Sequence, residues 1–213
     1  MSQPVKVLRI GLSAASLVIA GILFVIYPAL RPFSDETSLE GAIAFASSEW
    51  LAAHMLAMVA FTLLPLGLLG LHNSLHGTAV NSLTYRAFLF CTLGTGLALP
   101  YYGGEAFGLH AIGQEAIRQQ SAELVSLAST VRGGAALIMF LAGLLFLGVS
   151  AILWAIAIWK SGKYPKWSGI PFALGLCLYI PQFFVGQPLR IAHGLLVAFG
   201  CIWIAADLWS SRA

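Results

Sequence analysis

Six stretches of the chain, near residues 8–30, 48–72, 84–108, 128–159, 168–186 and 190–209, consist almost entirely of apolar residues. In hydrocarbon every backbone N–H and C=O must be paired within the protein, which leaves helices and closed barrels as the spanning structures. A spanning helix takes about 20 apolar residues and a spanning strand about half as many. The lengths here therefore predict an all-α fold: a polytopic membrane protein of six transmembrane helices, forming one domain over residues 1–213. Composition points the same way, with 59% of the residues hydrophobic and 9% charged, against about 25% charged in soluble domains.

The intervening segments carry turn signals. Residues 31–40 are polar, residues 72–82 contain Asn73, Gly77 and Asn81, and residues 160–166 contain Ser161, Gly162 and Pro165. Residues 114–126 are polar enough to leave the bilayer as a helical extension of the third or fourth span. Lys6 and Arg9 ahead of the first apolar run resemble a secretory signal. The run is too long for one, and Arg31-Pro32 stand where small residues would be needed, so it is expected to remain as the first membrane helix.

Lys6, Arg9, Arg86, Lys160, Lys163, Lys166 and Arg212 fall on one side of this layout, and Arg31, Arg118, Arg132 and Arg190 on the other. Cytoplasmic loops retain positive charge, which predicts a cell-membrane protein with both termini in the cytoplasm. The net charge of +3 is small and scattered, without the basic stripe that nucleic acid requires. Cys91, Cys177 and Cys201 lie far apart in apolar sequence, without zinc or redox spacing.

The candidate site follows from ionisable residues at membrane depth, which are costly and tend to face a bundle interior or a cavity. His54 lies one turn beyond Trp50, His193 nearly one turn beyond Arg190, and Gln182 about one turn before the end of the fifth span. At a rise of ~1.5 Å per residue these side chains share an outer slab roughly 5–8 Å deep. Glu49, Tyr101, Tyr102, Glu105, His110 and Arg132 lie in or just above it. Pro100, Gly103-Gly104 and Pro181 interrupt helices in the same layer, so a pocket open to the outer face is expected.

Several chemistries use this set. His54, Glu105 and His193 suit an acid–base constellation. His54, His193 and His110 suit a zinc centre, and paired imidazoles suit haem iron. Arg132 and Arg190, with Tyr101 and Gln182, suit the oxyanion of a cofactor, lipid or other small ligand. Glu105 and His110 are five apart, about 140° around an uninterrupted helix, and meet at one centre only where Gly103-Gly104 distorts it. Ala53-His54-Met55-Leu56 is echoed by Ala192-His193-Gly194-Leu195, which sets both histidines at one depth on parallel helices.

The resulting expectation is a ligand-binding integral membrane protein, with metal, haem or a lipid-like molecule as the ligand and an embedded enzyme as one form of it. A permease is the first alternative, although the inner halves of the spans are almost wholly apolar. An accessory subunit, held to a membrane partner or a second copy, is the other. In that case the polar residues only tie helices together, at about 0.6 kcal/mol per contact. His72 and His76 read as interfacial residues, and Gly67, Gly70, Gly143 and Gly148 as positions of close helix packing.

Overall fold

The computed structural model describes residues 3–211, and among them there is no strand. Arg212 lies outside the described residues, as does the side chain of Lys6. In chain order the helices are α1 (Gln3–Leu30), α2 (Leu39–Ala46), α3 (Ser48–Ser74), α4 (Asn81–Gly103), a π turn (Gly104–Gly108) and α5 (Leu109–Gln119). There follow a 3-10 turn (Ala122–Ser126), α6 (Leu127–Arg132), α7 (Gly134–Ser161), α8 (Ile170–Cys177), a second 3-10 turn (Pro181–Phe184) and α9 (Gln187–Ser210).

Four of these helices, α1, α3, α7 and α9, are long and apolar enough to cross a membrane. α4 has the length but carries more polar residues, and α8 is a short piece of the expected fifth span. Short connections make consecutive helices antiparallel neighbours. Here that produces a closed ring: α1 packs on α3, α3 on α4, α4 on α7, α7 on α8, α8 on α9, and α9 back on α1.

Inside the ring, one half is filled by aliphatic side chains with a tryptophan, among them Leu64, Leu68, Leu71, Leu147 and Trp154, all fully buried. The other half is aromatic. Phe24 and Tyr27 from α1, Phe61 from α3, Tyr102 from α4, Phe140 from α7 and Tyr179 just past α8 meet there at ring separations between 5.1 and 6.1 Å. Such edge and tilted contacts suit the aromatic quadrupole.

Three boundaries differ from the sequence expectation. The fourth span, expected at 128–159, is divided: α6 ends at Arg132 and α7 starts at Gly134, whose φ of +56° is a left-handed value that favours glycine. The fifth, expected at 168–186, is helical only to Cys177 before the Pro181 turn, since proline cannot donate to the preceding turn. Residues 31–40 do not form a simple polar turn, because α2 starts at Leu39 within them.

Of the helical extension expected over residues 114–126, residues 122–126 form the first 3-10 turn and the part to Gln119 is the end of α5. That helix stops where Gln120 adopts a left-handed φ of 52°. α2, α5, the first 3-10 turn and α6 together cap one end of the ring. Their own small core joins Ala42, Phe45, Leu109, Ala116, Val125 and Ala128 to Trp50 of α3.

The α4–α7 crossing depends on two glycines. A Cβ on Gly94 would stand 2.7 Å from the Gly143 carbonyl oxygen, and one on Gly143 would stand 2.8 Å from that of Gly94. Backbones this close leave no room for a methyl group. Gly94→Ala and Gly143→Ala should each lower the unfolding midpoint in detergent, by the ~1–3 kcal/mol typical of overpacking. Gly96→Ala, which meets nothing within 4 Å, should be neutral or gain up to ~1 kcal/mol of helix propensity. Equal losses at all three positions would remove the close-crossing explanation.

Candidate functional site

Helix ends converge where the aromatic half of the ring meets the cap. The last turn of α1 delivers Tyr27 and the residue just after it, Arg31; α3 delivers His54, the last turn of α4 delivers Tyr101 and Tyr102, and the π turn delivers Glu105. Arg132 arrives from the end of α6 and Arg190 from the start of α9. With Glu36 from the loop after α1, they line a cavity of about 620 Å³. That lies within the ~300–1,000 Å³ range of small-molecule sites.

Its charged wall is a continuous chain of ion pairs. Arg132 forks onto Glu105, with Nε donating to Oε1 at 2.5 Å and Nη2 to Oε2 at 2.9 Å. Its Nη1 donates to Glu36 Oε2 at 2.5 Å, and Arg31 Nη2 donates to Glu36 Oε1 at 2.6 Å. Arg31 also lies over the rings of Trp50 and Phe33, at 4.5 and 4.6 Å. Planar guanidiniums can fork and stack at once, which a lysine ammonium cannot.

Burial acts to raise the Glu36 carboxyl, but the Arg31 and Arg132 charges outweigh it and hold the group below the usual carboxylate range. Burial likewise acts against the Arg132 charge. Its bonds to Glu105 and Glu36 prevail and push its pKa above the ordinary arginine value.

His54 Nδ1 lies 2.8 Å from the Trp50 carbonyl oxygen. A carbonyl only accepts, so Nδ1 carries the proton and the neutral ring keeps its lone pair on Nε2. That atom faces Glu105 Oε2 at 3.6 Å. The Trp50 indole donates at 2.7 Å to the main-chain carbonyl of Glu105, fixing the π turn against α3. π turns recur at functional sites in helices.

Arg190 differs from the other two arginines. Its Nε and Nη2 donate to the carbonyls of Val185 and Phe183, at 3.0 and 2.8 Å, and its plane lies over Phe33 and Phe183. Among the described residues no carboxylate pairs with it. The opposite wall is apolar, made by Leu137, Phe140 and Leu141 of α7 with Ile180, Phe183 and Phe184. Tyr101 stacks on Phe140 at 4.1 Å. Below, Tyr102 forms the floor and shares a hydrogen bond of 2.9 Å with Tyr179 behind it.

Of the residues singled out from sequence, His54, Glu105, Tyr101, Arg132 and Arg190 share this cavity. His193 stands behind Tyr179, with ring centroids 5.3 Å apart, and its Nε2 donates to the Gly175 carbonyl at 2.7 Å, tying α9 to α8. His110 ties α5 to α2, its Nδ1 donating to the Phe45 carbonyl at 2.9 Å. The π turn does not swing it toward Glu105. Gln182 is buried in the second 3-10 turn, outside the cavity wall.

The three histidines therefore do not converge, and among the described residues no group of three His, Cys, Asp or Glu side chains has the geometry of a metal site. Sequence reasoning missed Arg31 and Glu36, which lie in what reads as a plain polar turn, and Tyr27 within the first apolar run. Comparison with protein-family models, with curated proteins and with solved structures finds no match.

Arg132→Gln should destabilise the fold by up to about 3 kcal/mol, the low end of the loss from breaking a buried pair. The low end applies because the Arg132 side chain keeps 25% of its exposure. Glu36, whose pKa is depressed on folding, contributes stability above the unfolded carboxyl value that is lost as pH falls through its lower folded value. Unfolding midpoints in detergent should therefore hold from neutral pH to ~5 and fall below ~4.3. Glu36→Gln should flatten part of that acid limb; an unchanged limb would contradict the assignment.

Proposed function

We propose that the chain is a six-crossing membrane protein whose pocket holds a small ligand carrying an anionic group. In this reading α4 and the broken fifth segment, α8 with the Pro181 turn, complete the crossings begun by the four long helices. The closed ring in chain order supports this, since alternating passes place the two termini at the same end. Arg9, Arg86, Lys160, Lys163 and Lys166 gather at that end, which makes it the cytoplasmic one by the positive-inside tendency. The pocket and its cap then face outward from the cell membrane.

The observation that carries the ligand reading is the charge of the cavity wall. Three guanidiniums face two carboxylates, and the arginine without a carboxylate, Arg190, lies beside apolar and aromatic walls. Pockets of this make-up, mostly apolar with a few convergent polar groups, are the usual form of small-molecule sites. The filled inner half of the ring weighs against a permease, because transport through a midplane site needs a route continuing to the other side. An acid–base role has one observation in its favour. The His54 lone pair at Nε2 stands at the cavity wall beside Glu105.

Two experiments test the proposal. With Cys91, Cys177 and Cys201 replaced by Ala, an impermeant maleimide should label Gln119→Cys in intact cells and leave Lys166→Cys unlabelled until the cells are opened. The reverse pattern, or labelling of both, would refute the orientation. Gently purified wild-type protein should carry a small molecule in native mass spectra, and Leu141→Trp, which fills the cavity, should lose it. Identical spectra for the two proteins would argue against an occupied pocket.

A further inference from the structure

The cavity has one side that a water-soluble ligand does not require. Leu137 and Leu141 of α7 face Ile180 and Phe184 across its apolar flank. Phe184 is 87% exposed, and Ile138, next to Leu137 in the sequence, is 71% exposed. Large apolar side chains this open at the edge of a membrane bundle belong against lipid. Phe33, Ser34 and Glu36 of the loop after α1 and Arg132 of the cap line the charged side, whereas on the apolar side Phe184 both lines the cavity and is exposed, so the cavity lining reaches the outer surface of the bundle there.

Arg190 stands within reach of that flank. Two of its N–H groups hold the carbonyls of Val185 and Phe183, and a guanidinium has five. The remaining donors, on a side chain already fixed by those bonds, can meet an oxyanion without ordering it anew. The cavity wall holds three guanidiniums and two carboxylates, so one negative charge balances these five groups. A doubly charged group would exceed the balance.

Resting on the pocket reading above, we infer that the ligand is a monoanionic lipid, its carboxylate or phosphodiester at Arg190 and its acyl chain leaving between α7 and the Pro181–Phe184 turn. The polar wall, the apolar flank and the single uncompensated charge each match one part of such a molecule.

The test uses the full chain in nanodiscs of zwitterionic phosphatidylcholine, with an oleate analogue carrying a diazirine in its chain. Photolabel is expected at residues 137–141 and 180–184. Oleate and phosphatidylglycerol should compete with it, each reporting one headgroup chemistry, while acetate and inorganic phosphate should not. Arg190→Gln should weaken competition about tenfold, the size of one charge-assisted hydrogen bond. Arg190→Lys, which keeps the charge but not the fork, should retain most of it and separates anion binding from support of the turn.

Labelling elsewhere on the bundle, or labelling indifferent to both Arg190→Gln and Leu141→Trp, overturns the inference. If acetate or phosphate competes as well as oleate, the pocket reading stands and the lipid is excluded. The same holds if a water-soluble molecule is retained by wild type and lost in Leu141→Trp. Absence of both labelling and any retained molecule removes both readings.

Discussion

The fork of Arg132 onto Glu105 is the contact on which the arrangement of the capped half depends. Glu105 sits on the π turn, Arg132 ends α6 and Glu36 follows α1, so one guanidinium fastens three segments far apart in sequence. Taking these charges out of water is expensive, and an ion pair offsets that cost only with good geometry and further hydrogen bonds. Both are present: the fork is bidentate, and the second carboxylate of the chain is shared with Arg31. Without this chain the cap would lose its charged attachment and keep the small apolar core around Trp50 and the bond of the Trp50 indole to the Glu105 carbonyl.

The π turn and the Trp50 indole are two sides of the same arrangement. A widened turn re-aims the side chains that follow it, and here Glu105 points into the cavity while His110, five residues on, reaches the Phe45 carbonyl outside it. Glycines at 103, 104 and 108 make the local backbone easy to deform. Below the charged layer, Tyr102, hydrogen-bonded to Tyr179, stands between the pocket and the aliphatic half of the ring. The molecule thus contains a polar layer, an aromatic layer and an aliphatic one, in that order.

Much of this is legible in the chain, and the rest fails for identifiable reasons. Apolar length shows the all-α class and the four long helices, because burial of backbone polar groups leaves few alternatives at that length. His54, Glu105 and Arg132 can be placed at one depth by counting residues from helix ends. Depth does not fix rotation. α9 is apolar nearly all round, so its sequence gives no face on which to set His193, and Tyr179 takes the inward position instead. Arg31 and Glu36 were hidden for another reason. Their roles come from partners across the fold, 96 residues away in the pairing of Glu36 with Arg132, and no local spacing encodes that. The short helix α2 was lost among the polar residues ahead of it.

The break at Pro181 links support of the fold to the chemistry of the site. Irregular backbone at membrane depth is tolerated where its freed carbonyls are paired inside protein or lie along a cavity. Arg190 pairs two of them, so the broken fifth segment holds the guanidinium rigid at the pocket wall. The same break turns Ile180, Phe183 and Phe184 toward α7, supplying the apolar flank. An unbroken helix would have supplied neither the fixed cation nor the apolar flank. The departure from regular helix, which weakens the sequence signal of the expected fifth span, is therefore what gives the cavity its polarity, with a charged wall on one side and an apolar wall on the other.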